Sequence, residues 1–193
     1  MPKKGKEVYL PEQETPPLPT DDPVQAHWTE LGSTLSSWCS EITGSSSATV
    51  YAPPGNYTAS GSANCTIPNT VNHLELYQSQ INNFAFTFTV AGNSTTPLVI
   101  DGCTFNGCTV NHTGTRTVVL TDTEALYNAS MGAGNVFFED FVGGNATITF
   151  QLNQSIWARQ FNLEVPNANK FMCNNCTLWI LGYKTENAIT SQY

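Results

Sequence analysis

Short β-branched and aromatic runs return along this chain every 18 to 24 residues, and no other feature restricts its fold as much. The runs are Leu74-Glu75-Leu76, Leu98-Val99-Ile100, Val118-Val119-Leu120, Val136-Phe137-Phe138, Ile156-Trp157-Ala158 and Leu178-Trp179-Ile180. Their first residues lie 24, 20, 18, 20 and 22 positions apart, with Gly- and Asn-rich turns between them and no helical periodicity after residue 44. A sandwich or barrel would show hairpins at closer spacing, and a doubly wound sheet would need helices between its strands. A repeat built only of strands and turns is the mark of a β-solenoid, where each coil buries its apolar face against its neighbours. The expected fold is all-β: a right-handed parallel β-helix with one N-terminal capping α-helix.

Three segments are predicted. Residues 1–20 read as an extended proline-rich arm, because Pro11, Pro16, Pro17 and Pro19 break regular elements. Residues 21–43 read as an amphipathic capping helix. Asp22 fits the N-cap, Pro23 the first helical position, and Val24, Trp28, Leu31, Leu35, Trp38 and Ile42 form one apolar stripe before Gly44. Such a helix would cover the backbone and core that the first coil otherwise leaves open. Residues 44–193 form the β-helix, in about six coils judged by the repeat. No capping pattern follows Leu178-Trp179-Ile180, so either another chain stacks on the last coil or the segment is the N-terminal part of a longer solenoid.

Charge narrows the partners. Only 11% of residues are charged, the net charge is −8, and Lys3, Lys4 and Lys6 are three of the seven basic residues. Nucleic-acid binding needs clustered cations and is excluded on this balance. No apolar run is long enough to span a membrane as a helix. Six cysteines (Cys39, Cys65, Cys103, Cys108, Cys173 and Cys176) accompany eight Asn-x-Ser/Thr sequons at Asn56, Asn64, Asn93, Asn111, Asn128, Asn145, Asn153 and Asn175. Together they point to an oxidising, extracellular or cell-surface setting, permit N-glycosylation and leave the disulfide pairing open. Residues 1–20 lack the apolar stretch of a secretion signal, so export would imply a leader already removed or a partial chain.

Asp21-Asp22 before the helix and Ala48-Thr49-Val50-Tyr51-Ala52-Pro53-Pro54-Gly55-Asn56-Tyr57 after it resemble the opening of the pectate-lyase-like superfamily of single-stranded right-handed β-helices. Further on, Arg116-Thr117-Val118-Val119-Leu120, Gly134-Asn135-Val136-Phe137-Phe138-Glu139-Asp140, Ile156-Trp157-Ala158-Arg159-Gln160 and the stretch from Leu178 to Glu186 are similar to uncharacterised proteins near glycoside hydrolase family 55. The resemblance implies the β-helix fold and an association with carbohydrate, since characterised members of that family cleave β-1,3-glucan with the help of a second β-helix. The strand that opens the family before its helix is replaced here by the proline-rich arm.

Glycoside hydrolysis needs two carboxyl groups facing one cleft. Asp101, Asp122, Glu139, Asp140, Glu164 and Glu186 stand at strand ends, and Asp122, Glu139 and Asp140 with Arg159 are the catalytic candidates. The competing reading gives these acids the opening of turns and Arg159 an ion pair with a neighbouring coil. A hydrolase is favoured over a lyase because no aspartate cluster surrounds Arg159. Trp157, Trp179 and Phe137 occupy the same position of their runs and are candidates for glycan stacking or an interface; an internal stack is the alternative. Cys173-Asn174-Asn175-Cys176 reads as a local disulfide before a metal or redox pair, and His27, His73 and His112 as surface or turn residues without metal spacing. No cofactor or metal is expected. The functional expectation is a secreted, carbohydrate-associated β-helix with a polysaccharide or glycan partner. A fibre or sheath subunit self-associating end to end and a non-catalytic glycan-binding adhesin are the alternatives.

Overall fold

A computed structural model describes residues 27–77, 79–103, 107–144, 146–165 and 169–185; the arm at 1–20 lies outside the described residues. The chain winds as a parallel β-solenoid of about seven turns. Eight strands form the first ladder: β1 (Thr29–Glu30), β2 (Thr49–Tyr51), β4 (His73–Glu75), β6 (Leu98–Asp101), β8 (Val118–Ala129), β9 (Val136–Gly143), β11 (Ser155–Leu163) and β13 (Thr177–Lys184). A second ladder joins β3 (Gly55–Thr66), β5 (Ser79–Val90), β7 (Cys108–His112) and the second half of β8. β10 (Ile148–Phe150) and β12 (Phe171–Cys173) make a third, short face.

Every pairing is parallel, so equivalent side chains pile up between turns. Val50, Leu74, Ile100, Leu120, Phe138, Ala158 and Ile180 fall on one another along the first ladder, and all but Ile180 are fully buried. The repeat in the sequence aligns Leu98 with Leu74, whereas the structure aligns Ile100 with it. A shift of two keeps the pleat alternation, so the same faces still point inward. The interior is aromatic as well as aliphatic. Phe141 and Phe161 stack with centroids 5.7 Å apart, and Phe86 stacks on Phe88 at 5.6 Å.

The capping helix is shorter than the apolar stripe implies. A 3-10 turn at Leu35–Ser37 leads into α1 (Trp38–Gly44), while Thr29 and Glu30 are strand, paired with Val50 and Tyr51. Two causes are visible. The β2 edge needs backbone partners, which a helix cannot offer, and β1 with Leu31 N–H to Tyr51 O (2.8 Å) supplies them. Gly32 then interrupts the stripe, its N–H held by Glu41 Oε2 at 2.8 Å. The stripe residues still serve as a lid: Leu31, Leu35, Trp38 and Ile42 are buried in the main core. Trp38 packs on Tyr57 and Phe86, and its indole donates to Gly32 O at 2.6 Å. A Cys39–Cys65 disulfide fastens α1 to β3; Cys103–Cys108 and Cys173–Cys176 are local bridges.

The bend out of the first ladder is made by one stacked column. Between the register positions Thr121, Glu139, Arg159, Leu181 and the positions Thr123, Phe141, Phe161, Tyr183 lie Asp122, Asp140, Gln160 and Gly182, with φ of 46°, 50°, 52° and 80°. Gly102, one turn earlier, has φ 73°. A left-handed residue at each turn swings the chain onto the next face, and Asp tolerates that conformation better than most residues. Gly102 admits no substitute, because a Cβ there would sit 2.4 Å from Tyr77 Cα.

Candidate functional site

Alternation along the first ladder puts one set of residues outside. Val99, Val119, Phe137, Trp157 and Trp179 follow one another in register on the face opposite the core. Phe137 and Trp157 lie face to face with centroids 4.3 Å apart and planes 9° from parallel. Val99, Val119 and Phe137 form a cluster separate from the main core, with Trp157 packed against it. The three aromatic candidates therefore stand on the outer face and not in the interior stack; Trp157 and Trp179 are half-buried and Phe137 is covered.

The neighbouring outer column reads Tyr51, Glu75, Asp101, Thr121, Glu139, Arg159 and Leu181. Register brings Glu139 and Arg159 together, and the guanidinium donates to Glu139 Oε2 at 2.5 Å with both side chains 48% exposed. Asp122 and Asp140, the other catalytic candidates, are the left-handed corner residues of adjacent turns and are exposed. The structure thus gives Glu139 and Arg159 to each other, and Asp122 and Asp140 to the bend. Glu164 accepts from Asn162 Nδ2 at 2.8 Å, and Glu186 lies outside the described residues. Among the described residues, no group of three or more His, Cys, Asp or Glu side chains is placed to hold a metal ion.

A buried polar network escaped the sequence reading. His112, taken as a turn residue, is fully buried. Its Nε2 lies 2.7 Å from the Arg116 carbonyl, which only accepts, so Nε2 carries the proton and Nδ1 accepts from the Tyr127 hydroxyl at 2.8 Å. Tyr127 accepts from Gln154 Nε2 (2.8 Å), which also donates to Gly134 O (2.9 Å). Burial lowers the His112 pKa to about 4 and raises that of Tyr127, so both stay neutral. The Arg116 guanidinium is buried alongside, donating to Thr96 O (2.8 Å), Asn72 Oδ1 (2.7 Å), Pro97 O (3.3 Å) and Pro68 O (3.4 Å); burial brings its pKa to about 10. The clue available in the sequence was the scarcity of arginine. In a chain with so few cations, one preceding the Val118 run deserved a core reading.

His27 is exposed, and His73 is half-buried on the outer face, with Nε2 3.9 Å from Asp101. Sequon residues Asn56, Asn64, Asn93, Asn128, Asn153 and Asn175 are exposed, while Asn145 lies outside the described residues. Asn111 is half-buried and accepts from Asn128 Nδ2 at 3.1 Å, a two-rung ladder. An open groove at the bulge between β3 and β5, lined by Gly61, Asn82, Asn83 and Phe84, holds no ionisable group. No helix among the described residues is long and apolar enough to cross a membrane. Searches of family models, curated proteins and solved structures find no match for this chain.

Proposed function

We propose that this chain is an extracellular, carbohydrate-associated β-helix that holds a glycan on the outer face of its first ladder without cleaving it. The observation that carries this reading is the outward column ending in Trp157 and Trp179, flanked by the Glu139–Arg159 pair. Two outward indoles one turn apart, about 4.8 Å along the ladder, offer apolar contact to a sugar chain, and the adjacent ion pair offers donors and acceptors to hydroxyls. The three disulfides are compatible with an oxidising setting. Cleavage is not part of the proposal. Glu139 is engaged by Arg159, and the corner aspartates serve the backbone, so no two free carboxyl groups face one cleft among these candidates.

The motif resemblance makes soluble β-1,3-glucan the first ligand to try. Titration followed by tryptophan fluorescence should saturate, and Trp157→Ala or Trp179→Ala should each weaken binding by about tenfold. No saturable change overturns the reading, and release of reducing sugar that disappears in Glu139→Gln overturns its non-catalytic half.

A second reading, a subunit of an extracellular fibre, is favoured by the last turn. Leu178 and Ile180 continue the inward columns yet are only half-buried, and Leu181 is 59% exposed. Sedimentation velocity across a hundredfold concentration range decides it: species that grow with concentration and vanish in Leu181→Glu support assembly, and a constant monomer excludes it.

A further inference from the structure

The outer face of the second ladder is a grid of small, neutral side chains. Alternation sends Asn64, Thr87, Thr109 and Leu126 outward in one column, and Thr66, Thr89, Asn111 and Asn128 in the next. Register runs without a shift through these four rungs. The grid therefore repeats at about 4.8 Å between turns and about 6.6 Å along each strand, two residues at 3.3 Å. Cys65, Phe88, Val110 and Tyr127, which lie between the columns, are buried, and the Cys39–Cys65 disulfide ties the first rung to α1. The grid is thus fixed from beneath. Above, it is open: Asn64, Thr66, Leu126 and Asn128 are exposed, and the four residues between them are half-buried. No position in it is ionisable. Among the described residues, the hydroxyls of Thr66, Thr87, Thr89 and Thr109 have no hydrogen-bond partner.

We infer that this grid binds ice. Unpaired hydroxyls held at fixed spacing in two dimensions suit a partner surface that is itself periodic, neutral and rich in oxygen. Ice has all three properties, and on its prism faces the oxygen atoms repeat along two perpendicular directions at closely similar distances. Each threonine brings a methyl group, which restricts its first water shell, and a hydroxyl, which anchors a bridging water. Held at these intervals, the threonines order a water layer that continues the lattice. A charged group would orient water about itself instead, and the grid holds none. A crystalline polysaccharide is the competing periodic surface. Sugar rings pack on aromatic side chains, and none projects from this grid; the outward Trp157 and Trp179 stand on the first ladder. Asn64, Asn111 and Asn128 each begin a sequon, so the inference requires these three to carry no glycan.

The inference goes beyond the glycan reading and does not depend on it, since that reading uses the first ladder. The test takes the full chain, produced without N-glycans, and grows ice slowly from its solution. A non-binding globular protein of like size is excluded by the advancing ice, whereas this chain should enter it and should shape and slow a single growing crystal. Thr87→Tyr and, separately, Thr109→Lys raise a bulky group from the middle of the grid. Each should cut the incorporated fraction about tenfold, the loss expected when a contact at the centre of an interface is blocked. Trp179→Ala should leave it unchanged. Both grid substitutions replace outward side chains, so circular dichroism should match the wild type, and a variant that departs from it is set aside for the other. Exclusion of the wild type from ice overturns the inference without any variant. So does incorporation that survives the substitution in a folded variant, incorporation lost in Trp179→Ala, or binding to crystalline cellulose or chitin without binding to ice. A protein that binds no glycan can still enter ice, and one that ice excludes can still bind glycan, so the two failures are separate.

Discussion

Acid should weaken this protein through His112, and the size of the effect follows from its surroundings. The imidazole is fully buried, donates through Nε2 to the Arg116 carbonyl and accepts at Nδ1 from Tyr127, an arrangement that fits only the neutral ring. Burial lowers its pKa from 6.5 to about 4 in the folded state. Below pH 6.5 the unfolded chain therefore binds a proton that the folded chain refuses. Stability present above the unfolded pKa is lost as pH falls toward the folded one. At 1.36 kcal/mol per pH unit, that interval amounts to about 3 kcal/mol by pH 4. Urea denaturation of the wild-type protein and His112→Gln at pH 7.5, 6, 5 and 4 isolates it, because the carboxylates titrate in both proteins and cancel in the difference. The wild type should be more stable at pH 7.5, and its advantage should shrink by about 3 kcal/mol at pH 4. An advantage constant across the range would refute the buried, neutral imidazole.

Other outcomes follow from single contacts. Asp140→Gly, at φ 50°, should be neutral or stabilising by about 1 kcal/mol, whereas Asp140→Val should lose about 2 kcal/mol in chemical denaturation. Replacing Cys39 and Cys65 by Ser opens a loop with a sequence separation of 26 and should cost about 3.5 kcal/mol, read as a lower urea midpoint. Arg116→Met leaves four partly buried acceptors without their donor and should destabilise by about 3 kcal/mol, with far-ultraviolet circular dichroism reporting whether the coil around Thr96 and Pro97 still forms.

What the sequence reveals here is what repeats. The spacing of the runs is enough to call up stacked coils, and period-two alternation is enough to put Val136 and Phe138 on one face and Phe137 and Trp157 on the other, but only the structure decides which face is the core. Register is harder. The segment between Glu75 and Leu98 is longer than its neighbours, and only backbone pairing decides that Ile100, not Leu98, covers Leu74. The N-terminal stripe misled for a related reason. Spacing of three and four describes a helix, but the unmet backbone of β2 recruits Thr29 and Glu30 as a strand first. The roles of Asp122 and Asp140 were open because an acid at a strand end looks the same whether it faces a substrate or turns a corner. Their φ values, shared with Gln160 and Gly182, become visible only when the turns are superposed. His112 and Arg116 were missed because single polar residues carry no periodicity, and their placement depends on partners up to 48 positions away.

The glycan face depends on parallel register with Trp157 lying outside, directly above Phe137. Nuclear Overhauser contacts between the ring protons of these two residues test that placement most directly. With centroids 4.3 Å apart, a strong cross-peak is expected between rings twenty residues apart in sequence, with none from Trp157 to the core rings of Phe138 or Phe161. Cross-peaks from Trp157 to that core set, with none to Phe137, would contradict the account.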